Sequence, residues 1–313
     1  MQKKYFIFAL SLMVALGVST KTHALTISPV KVEVAGDPGQ TLRGEMELLN
    51  EQADSKTFYS SFENFEPSGD AGSPRFVGGE DGLATWLHTE SVKTIAANEK
   101  IKIPYTITIP ADAEPGGYFS AIFWGEQNPK NNEAGTVTIG GKLGVLILLR
   151  VNGDIVEQAG ISDFSAGDKQ RFFIATPIDF VYRFANTGAD RVVPLGDIVI
   201  KNIFGRTVAT ISANHNEGNV LPNSTRKFTS TWSDGEAASG GFFTQVAYQF
   251  KHFHLGLYTA HLQVKWGTTH KEENSTLHIF LFPWQLFLVG LSLLIVARFG
   301  LIRYNAWIIS RNK

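Results

Sequence analysis

The chain has 313 residues, 18% of them charged, and a formal net charge of −1. A balance this close to zero provides no general attraction for nucleic acid, so we predict no nucleic acid partner. The chain contains no cysteine, which excludes disulfides, thiolate metal sites, cysteine nucleophiles and a lipid carried on cysteine.

The first 24 residues have the pattern of a secretory signal peptide. Lys3 and Lys4 give a basic start, and an uncharged stretch follows from Tyr5 to Val18. Thr22-His23-Ala24 then approximates a small-x-small cleavage site. We therefore predict a signal peptide over residues 1–24 and export of the chain that follows.

Residues 25–159 are predicted to form a first immunoglobulin-like β-sandwich. Ile101 to Ile109 alternates five apolar side chains with polar ones, which is typical of a half-buried antiparallel strand. Tyr118 to Trp124 is apolar on both faces apart from Ser120, which indicates a central strand. The preceding Pro115-Gly116-Gly117 is interpreted as the start of that strand, because a phosphate-binding loop needs a helix directly after it. A ligand loop is the alternative.

Two residues of this first domain are candidates for ligand binding. Trp86 and His88 follow a glycine-rich irregular stretch, and aromatic rings on loops stack on sugars or anchor protein partners. The alternative for Trp86 is that it covers the first core. Glu45 and Glu47 form a carboxylate pair, but they lie on the predicted solvated face of a strand, so we assign them no catalytic role.

Residues 160–275 are predicted to form a second sandwich. Phe180, Tyr182 and Phe184 share one strand face, and Tyr258 to Trp266 alternates in the same way. No amphipathic helix of ordinary length is expected before the end of this domain. His252 and His254 would project from one face of an extended strand as two zinc ligands, but a polar hairpin is the preferred interpretation. We therefore predict no metal and no cofactor.

An uncharged run of 21 residues, Leu277 to Ala297, predicts a transmembrane helix over residues 277–302. At about 1.5 Å per residue, such a run reaches the thickness of a hydrocarbon core, about 30 Å. Trp284 lies near its start, and the basic residues Arg298, Arg303, Arg311 and Lys313 follow it. This positive-inside arrangement predicts a cytoplasmic basic tail over residues 303–313 and an extracytoplasmic region over residues 25–275.

Several motifs of the first domain together resemble the WxL-interacting protein family of bacterial cell-surface proteins, over about residues 25 to 160. They are Ser28-Pro29, Pro38-Gly39-Gln40, Trp86, the Ile101 to Ile109 strand, Pro115-Gly116-Gly117-Tyr118 and the Val145 to Val151 strand. The resemblance implies peptidoglycan binding by the first domain, binding of a host or surface protein by the second, and a membrane helix with a basic tail. The second domain looks more like a generic bacterial immunoglobulin-like module.

The sequence thus predicts an all-β, single-pass protein of the bacterial cell envelope that is not an enzyme. It contains no Gly-x-Ser-x-Gly, His-Glu-x-x-His, Walker or Rossmann motif. Its expected partners are peptidoglycan or another exported surface protein, bound by shape and edge-strand complementarity in an adhesion or scaffold role. One alternative is a chaperone-like assembly factor that acts by strand addition. A less favoured one is an envelope enzyme that acts on glycan.

Overall fold

The computed structural model describes residues 25–127, 141–236 and 239–311, which form two compact units. The predicted signal peptide, residues 1–24, lies outside the described residues. The first unit comprises described residues up to Phe65, then Phe76–Glu114 and Tyr118–Gly153, and the second comprises Glu66–Arg75, Pro115–Gly117 and the chain from Asp154 onward. The last of these changes of unit, between Gly153 and Asp154, therefore lies a few residues before the predicted boundary at 159/160.

The first unit is a sandwich of two sheets with a buried core. Its elements are β1 (Leu25–Ser28), β2 (Lys31–Gly36), β3 (Thr41–Asn50), β4 (Lys56–Ser68), β5 (Ser73–Gly78), α1 (Gly82–Trp86), β6 (Leu87–Thr89), β7 (Val92–Ile95), β8 (Lys100–Thr108), β9 (Gly116–Gly125) and β10 (Lys142–Val151). One sheet has the order β1-β3-β8-β6 and the other β2-β10-β9-β4-β5, with β7 also paired to β4.

The alternation in the first domain predicts this core correctly. Ile103, Ile107 and Ile109 of the predicted strand are almost fully buried, and they pack with Trp124 of the other sheet. β9 lies between β10 and β4, which confirms a central strand over the Tyr118 to Trp124 stretch. No helix follows Pro115-Gly116-Gly117, because β9 starts at Gly116 itself. The strand-start interpretation of these glycines is therefore confirmed.

The second unit is also a sandwich of two sheets, and a long helix follows it. Its elements are β11 (Ala159–Ala166), β12 (Phe172–Phe173), β13 (Ile178–Asn186), β14 (Leu195–Asn202), β15 (Thr207–Ser212), β16 (Ser224–Trp232), α2 (Phe242–Lys251), β17 (Gly256–Trp266), β18 (Lys271–Leu281) and α3 (Trp284–Arg311). The sheets have the orders β11-β13-β16 and β12-β18-β17-β14-β15. Phe180, Tyr182 and Phe184 are fully buried between them, as their alternation predicts.

The expectation of no ordinary helix before the membrane segment is wrong. Phe242–Lys251 forms the ten-residue helix α2. Its apolar residues fall at helical spacing, but they are mostly aromatic, a composition that strands share. The helix is fixed by tertiary contacts, since the side chain of Gln249 is buried and accepts a hydrogen bond from the backbone of Leu286.

The predicted start of the transmembrane helix is also wrong. Residues 277–281 belong to β18, which pairs with β17 as far as Leu281 opposite Gly256. Ile279 and Leu281 are buried in the second core, so alternate residues of this apolar run face inward as in any sandwich strand. Helix α3 starts only at Trp284 and continues to Arg311, through most of the predicted tail at 303–313. It remains long and apolar enough to cross a membrane, and an 18-residue stretch within it has a mean hydropathy of 2.1.

Candidate functional site

The first unit has an unusual edge where the chain changes from one sheet to the other. β1 pairs with β3 in the first sheet, and the chain then crosses at the cis Ser28–Pro29 peptide bond. β2 joins the second sheet, parallel to β10. The amide of Leu146 donates to the carbonyl of Val30 (3.0 Å), and the register runs from Leu146 opposite Lys31 onward. The ladder between β2 and β10 therefore begins directly after the crossing.

β10 begins four residues before its partner does. Lys142–Val145 precede the ladder with β2, so they have no partner in that strand; we refer to them as the open edge. Successive residues of a strand direct their backbone groups to alternate sides. The amide of Leu146 points toward β2, so the amides of Gly144 and Lys142 point the same way, outward from the sheet. An added strand could pair with them.

The side chains at the open edge continue the row of the core. Val145, Ile147 and Leu149 are fully buried, whereas Leu143, the next residue on the same face, is 41% exposed. Val30, at the crossing, is 72% exposed. Among the described residues, no strand pairs with the outward backbone groups of Lys142 and Gly144. Unpaired backbone groups beside exposed apolar side chains are the combination that strand addition uses.

Contacts on the outer face hold the open edge in place. The ammonium group of Lys142 lies 4.2 Å from the ring centroid of Phe123 and forms an ion pair with Glu63. Gly144 lies so close to Phe123 that a Cβ there would be 2.7 Å from the ring. The ring of Phe123 is packed edge-on against Phe76, with the centroids 4.8 Å apart. These contacts fix Lys142 and Gly144 on the outer face of the sheet.

Two other edge strands, β5 and β11, carry features that discourage pairing. β5 contains Pro74, which has no amide hydrogen to donate, and Arg75 beside it is paired with Glu66 at 2.7 Å. β11 has an irregular register between Ile161 and Asp163. Prolines, charges and bulges are the usual protection of sheet edges. The open edge, Lys142–Val145, contains no proline and no interruption of this kind.

The sequence pattern did not identify the open edge. The Val145 to Val151 stretch reads as an ordinary apolar strand, and whether such a strand is covered along its whole length depends on its neighbours. The only local signal is Ser28-Pro29, since a proline cannot continue a ladder as a donor and often marks a change of direction.

The two predicted ligand-binding residues differ in burial. Trp86 is the last residue of α1; it is half-buried against the first core, with its ring centroid 4.6 Å from that of Tyr118. His88 is exposed on β6, and its Nδ1 lies 3.1 Å from the carbonyl oxygen of Trp86. The structure thus places Trp86 where the core-covering alternative puts it. A binding role for either residue stays a prediction.

The histidine candidates are dispersed. His252 follows the end of α2, and its amide donates to the carbonyl of Tyr248. His254 Nε2 lies 2.8 Å from Asp234. His261 contacts the hydroxyl of Thr276. In the described ranges 25–127, 141–236 and 239–311, no group of three or more histidine, aspartate or glutamate residues is placed to hold a metal ion. The expected polar hairpin is instead the end of a helix.

The carboxylates are paired with lysines on open faces. Glu47 is 2.5 Å from Lys100, and this hydrogen bond lowers the pKa of its carboxyl group. Glu45 lies 3.6 Å from Lys102. The predicted solvated face for Glu45 and Glu47 is therefore confirmed. A glycosidase acid needs a raised pKa, so the lowered pKa of Glu47 does not suit that chemistry.

The second unit has a shallow groove on β14, β17 and β18. It has a volume of about 370 Å³ and is lined by residues including Asp197, Gln263, Lys265, Glu272 and Asn274. Lys265 and Glu272 form an ion pair across it at 2.8 Å, and the hydrogen bond from Lys265 lowers the pKa of the Glu272 carboxyl group. The opposite charges of Lys265 and Glu272 thus balance each other, and the lowered pKa of Glu272 does not suit a general acid.

Comparison with known proteins gives likenesses of structure but none of sequence. No family model matches the chain, and no curated protein matches it. The structure is similar to that of the class 5 fimbriae chaperone CfaA, at 11% identity and a TM-score of 0.39, covering 82% of this chain and 99% of that one. It is similar to the E. coli chaperone DraB, at 9% identity and a TM-score of 0.33, covering 83% and 97%.

A third similar structure is the CsuC-CsuE chaperone and tip adhesion subunit pre-assembly complex of Acinetobacter baumannii. The identity is 11% and the TM-score 0.35, and the match covers 83% of this chain and 99% of the matched one. The three structures described are thus a fimbriae chaperone, an E. coli chaperone and a chaperone complex of pili. The resemblance to the WxL-interacting protein family stays a prediction.

Proposed function

We propose that this chain is a non-catalytic, membrane-attached protein of the bacterial cell envelope that holds an exported polypeptide by strand addition at the open edge, Lys142–Val145. The observation that carries the proposal is the four-residue start of β10, which lies beyond its ladder with β2. Exposed strand edges pair readily with an added chain. This is the assembly-factor alternative rather than the polymer-binding role.

The chemistry of the open edge favours an extended, apolar segment as ligand. Lys142 and Gly144 direct their backbone groups outward, while Leu143 and Val30 offer exposed apolar side chains. Two outward residues support only a few main-chain hydrogen bonds, each with a net value of about 1 kcal/mol. Much of the selectivity must then come from how the ligand's alternate side chains pack on Leu143 and Val30.

The proposed place of action follows from the ends of the chain. The helix α3 is apolar enough to cross a membrane, and Arg298, Arg303 and Arg311 lie in its later part. With the positive-inside rule, this distribution supports a cytoplasmic end for α3 and an extracytoplasmic location for both β-rich units. A binder fixed there meets polypeptides as they are exported.

The test uses two substitutions at one position. Both Lys142→Pro and Lys142→Ala remove the contacts with Glu63 and Phe123, but only proline also removes the outward amide. A photoreactive residue in place of Leu143, in the full chain in membranes of its own cell, identifies the polypeptide that pairs there. Since one main-chain hydrogen bond is worth about 1 kcal/mol, we expect the affinity of that polypeptide for the solubilised protein to fall about fivefold with Lys142→Pro relative to Lys142→Ala.

Two results would contradict the proposal. One is equal binding of the captured polypeptide by both Lys142 variants, with no added protection of the Gly144 amide from hydrogen exchange in the complex. The other is saturable co-sedimentation of the full chain with peptidoglycan that both variants retain, without any polypeptide captured at position 143. The second result would restore the polymer-binding role predicted from the sequence.

A further inference from the structure

The end of the second unit next to α3 is tied closely to that helix. β18 ends at Leu281 and α3 begins at Trp284, so only Phe282 and Pro283 connect the sheet to the helix. The amide of Phe282 donates to the carbonyl of Phe173 (2.8 Å), which holds even this short connection against the sheet. Whatever lies at this end of the sandwich is therefore close to the start of α3.

The register shows which segments share that end. Leu281 pairs with Gly256, so the start of β17 lies there. Asn202 pairs with Tyr258, which brings the turn between β14 and β15 to the same end. Phe172 of β12 pairs alongside Phe280. Three separate parts of the chain thus meet around the start of the helix.

These segments carry large exposed aromatic side chains, which we call the apolar rim. It consists of Phe172, Phe204, Phe243, Phe250, Phe253 and Phe282, which are 77%, 85%, 79%, 75%, 51% and 44% exposed. At the opposite end of the same unit, around the turn after Trp266, the large exposed apolar side chains among the described residues are Val156 and Leu195. Concentration of this kind marks an interaction surface.

Helix α2 brings two of the rim residues beside α3. The amides of Gln249 and Gln285 are hydrogen-bonded to each other in a buried position, and Gln249 also accepts from the amide of Leu286 at 3.1 Å. Phe243 and Phe250 are seven residues apart, two turns of helix, and so lie on one face of α2. That face is exposed although the helix is fixed to α3.

The length of α3 indicates what covers the rim. Its uncharged part, residues 284–297, has 14 positions and rises about 21 Å, against about 30 Å for a hydrocarbon core. The missing length is about 9 Å, which falls within the depth of about 5–10 Å that an apolar face reaches in a membrane interface. If the rim lies at that depth, Arg298 reaches the opposite boundary rather than the hydrocarbon.

We propose that the apolar rim is a membrane-binding surface, immersed in the outer headgroup and acyl boundary around α3. Basic side chains stand beside its aromatic rings in the sequence: Arg171 precedes Phe172, Arg206 follows the Phe204 turn and Lys251 follows Phe250, and all three are exposed. Aromatic rings at the acyl boundary with cations at phosphate level are typical of interfacial binding. The second unit then rests on the membrane, independently of what the open edge binds.

The test places an environment-sensitive fluorophore on single cysteines in the full chain, which contains none of its own. Phe204→Cys and Phe243→Cys report on the rim, and Thr269→Cys, exposed at the opposite end, is the matched control. Each labelled protein is reconstituted in phosphatidylcholine and phosphatidylglycerol vesicles, with and without lipids that carry a nitroxide quencher on the acyl chain. Circular dichroism confirms that each variant is folded.

We expect nitroxide lipids to quench the two rim labels several-fold more than the label at 269, with a blue-shifted emission at the rim alone. Charged substitutions give a second readout: Phe204→Asp combined with Phe243→Asp should reduce quenching of a label at Phe250→Cys. Equal quenching at all three positions, or no effect of the aspartates, would overturn the proposal. It would place the rim in water and Arg298 within the hydrocarbon.

Discussion

Removal of the buried Asn186 side chain should clearly lower the free energy of unfolding. Asn186 is fully buried at the end of β13, and its Nδ2 donates to the carbonyls of Asp190 (2.8 Å) and Val220 (2.9 Å). Its Oδ1 accepts from the amide of Gly188 at 2.9 Å. Asn186→Ala removes three hydrogen bonds of about 1 kcal/mol each, so we expect a loss of about 3 kcal/mol in the free energy of unfolding.

The assay is urea unfolding of the full chain in detergent micelles, followed by circular dichroism. The matched control is Asn274→Ala, the same substitution at an exposed position of β18, where the expected change is below about 0.5 kcal/mol. Only the transition of the second unit should shift, because all the partners of Asn186 belong to it. Equal midpoints for the two variants would refute the reasoning that this amide holds the turn after β13 together.

Three further outcomes are expected. Trp86→Ala should cost about 2 kcal/mol of stability in urea unfolding, because the ring is half-buried against the first core, whereas His88→Ala should change it by less than about 0.5 kcal/mol. Tyr182→Phe should be neutral or stabilise by up to about 1 kcal/mol, since the buried hydroxyl has no hydrogen-bond partner among the described residues, and burial also raises its pKa. Glu47→Gln should lower the free energy of unfolding slightly at neutral pH, because the hydrogen bond from Lys100 lowers the pKa of Glu47 in the folded state. A lowered folded-state pKa contributes stability above the unfolded pKa, and this stability is lost as the pH falls through the folded value. Urea unfolding at decreasing pH should therefore show the difference between the two proteins vanish in acid.

The sequence predicted the sandwich strands well because their faces differ. Ile101 to Ile109 alternates apolar and polar residues. Because successive side chains of a strand point to opposite faces of the sheet, this alternation shows directly which residues face the core. The end of β18 was missed for the opposite reason. From Leu277 to Leu281 both faces are uncharged, so the run also satisfies the composition of a membrane helix, and only the pairing with β17 distinguishes the two.

The open edge and the apolar rim could not be predicted because neither depends on one segment. Leu143 is exposed since β2 joins its ladder only at Leu146, and that register is a property of two distant strands. Phe172, Phe204 and Phe243 are each an isolated exposed aromatic residue in the sequence, which is common on protein surfaces. They become a surface only when the fold brings their segments to one end of a sheet.

Both proposed surfaces arise where a proline marks the departure of the chain from a sheet. Pro29 stands between β1 and β2, and the crossing there leaves the first four residues of β10 without β2; Pro283 stands between β18 and α3, where the apolar rim gathers. Because proline has no amide hydrogen, it ends a ladder without leaving a donor unsatisfied.

The two surfaces belong to different units and share no residues, so the effects of substitutions in them should be additive. Lys142→Pro should leave nitroxide quenching at the rim unchanged, and Phe204→Asp should leave capture at position 143 unchanged when the protein is solubilised in detergent. If Lys142→Pro changes the quenching at the rim, or Phe204→Asp changes the capture at position 143, the apolar rim and the open edge are coupled rather than independent.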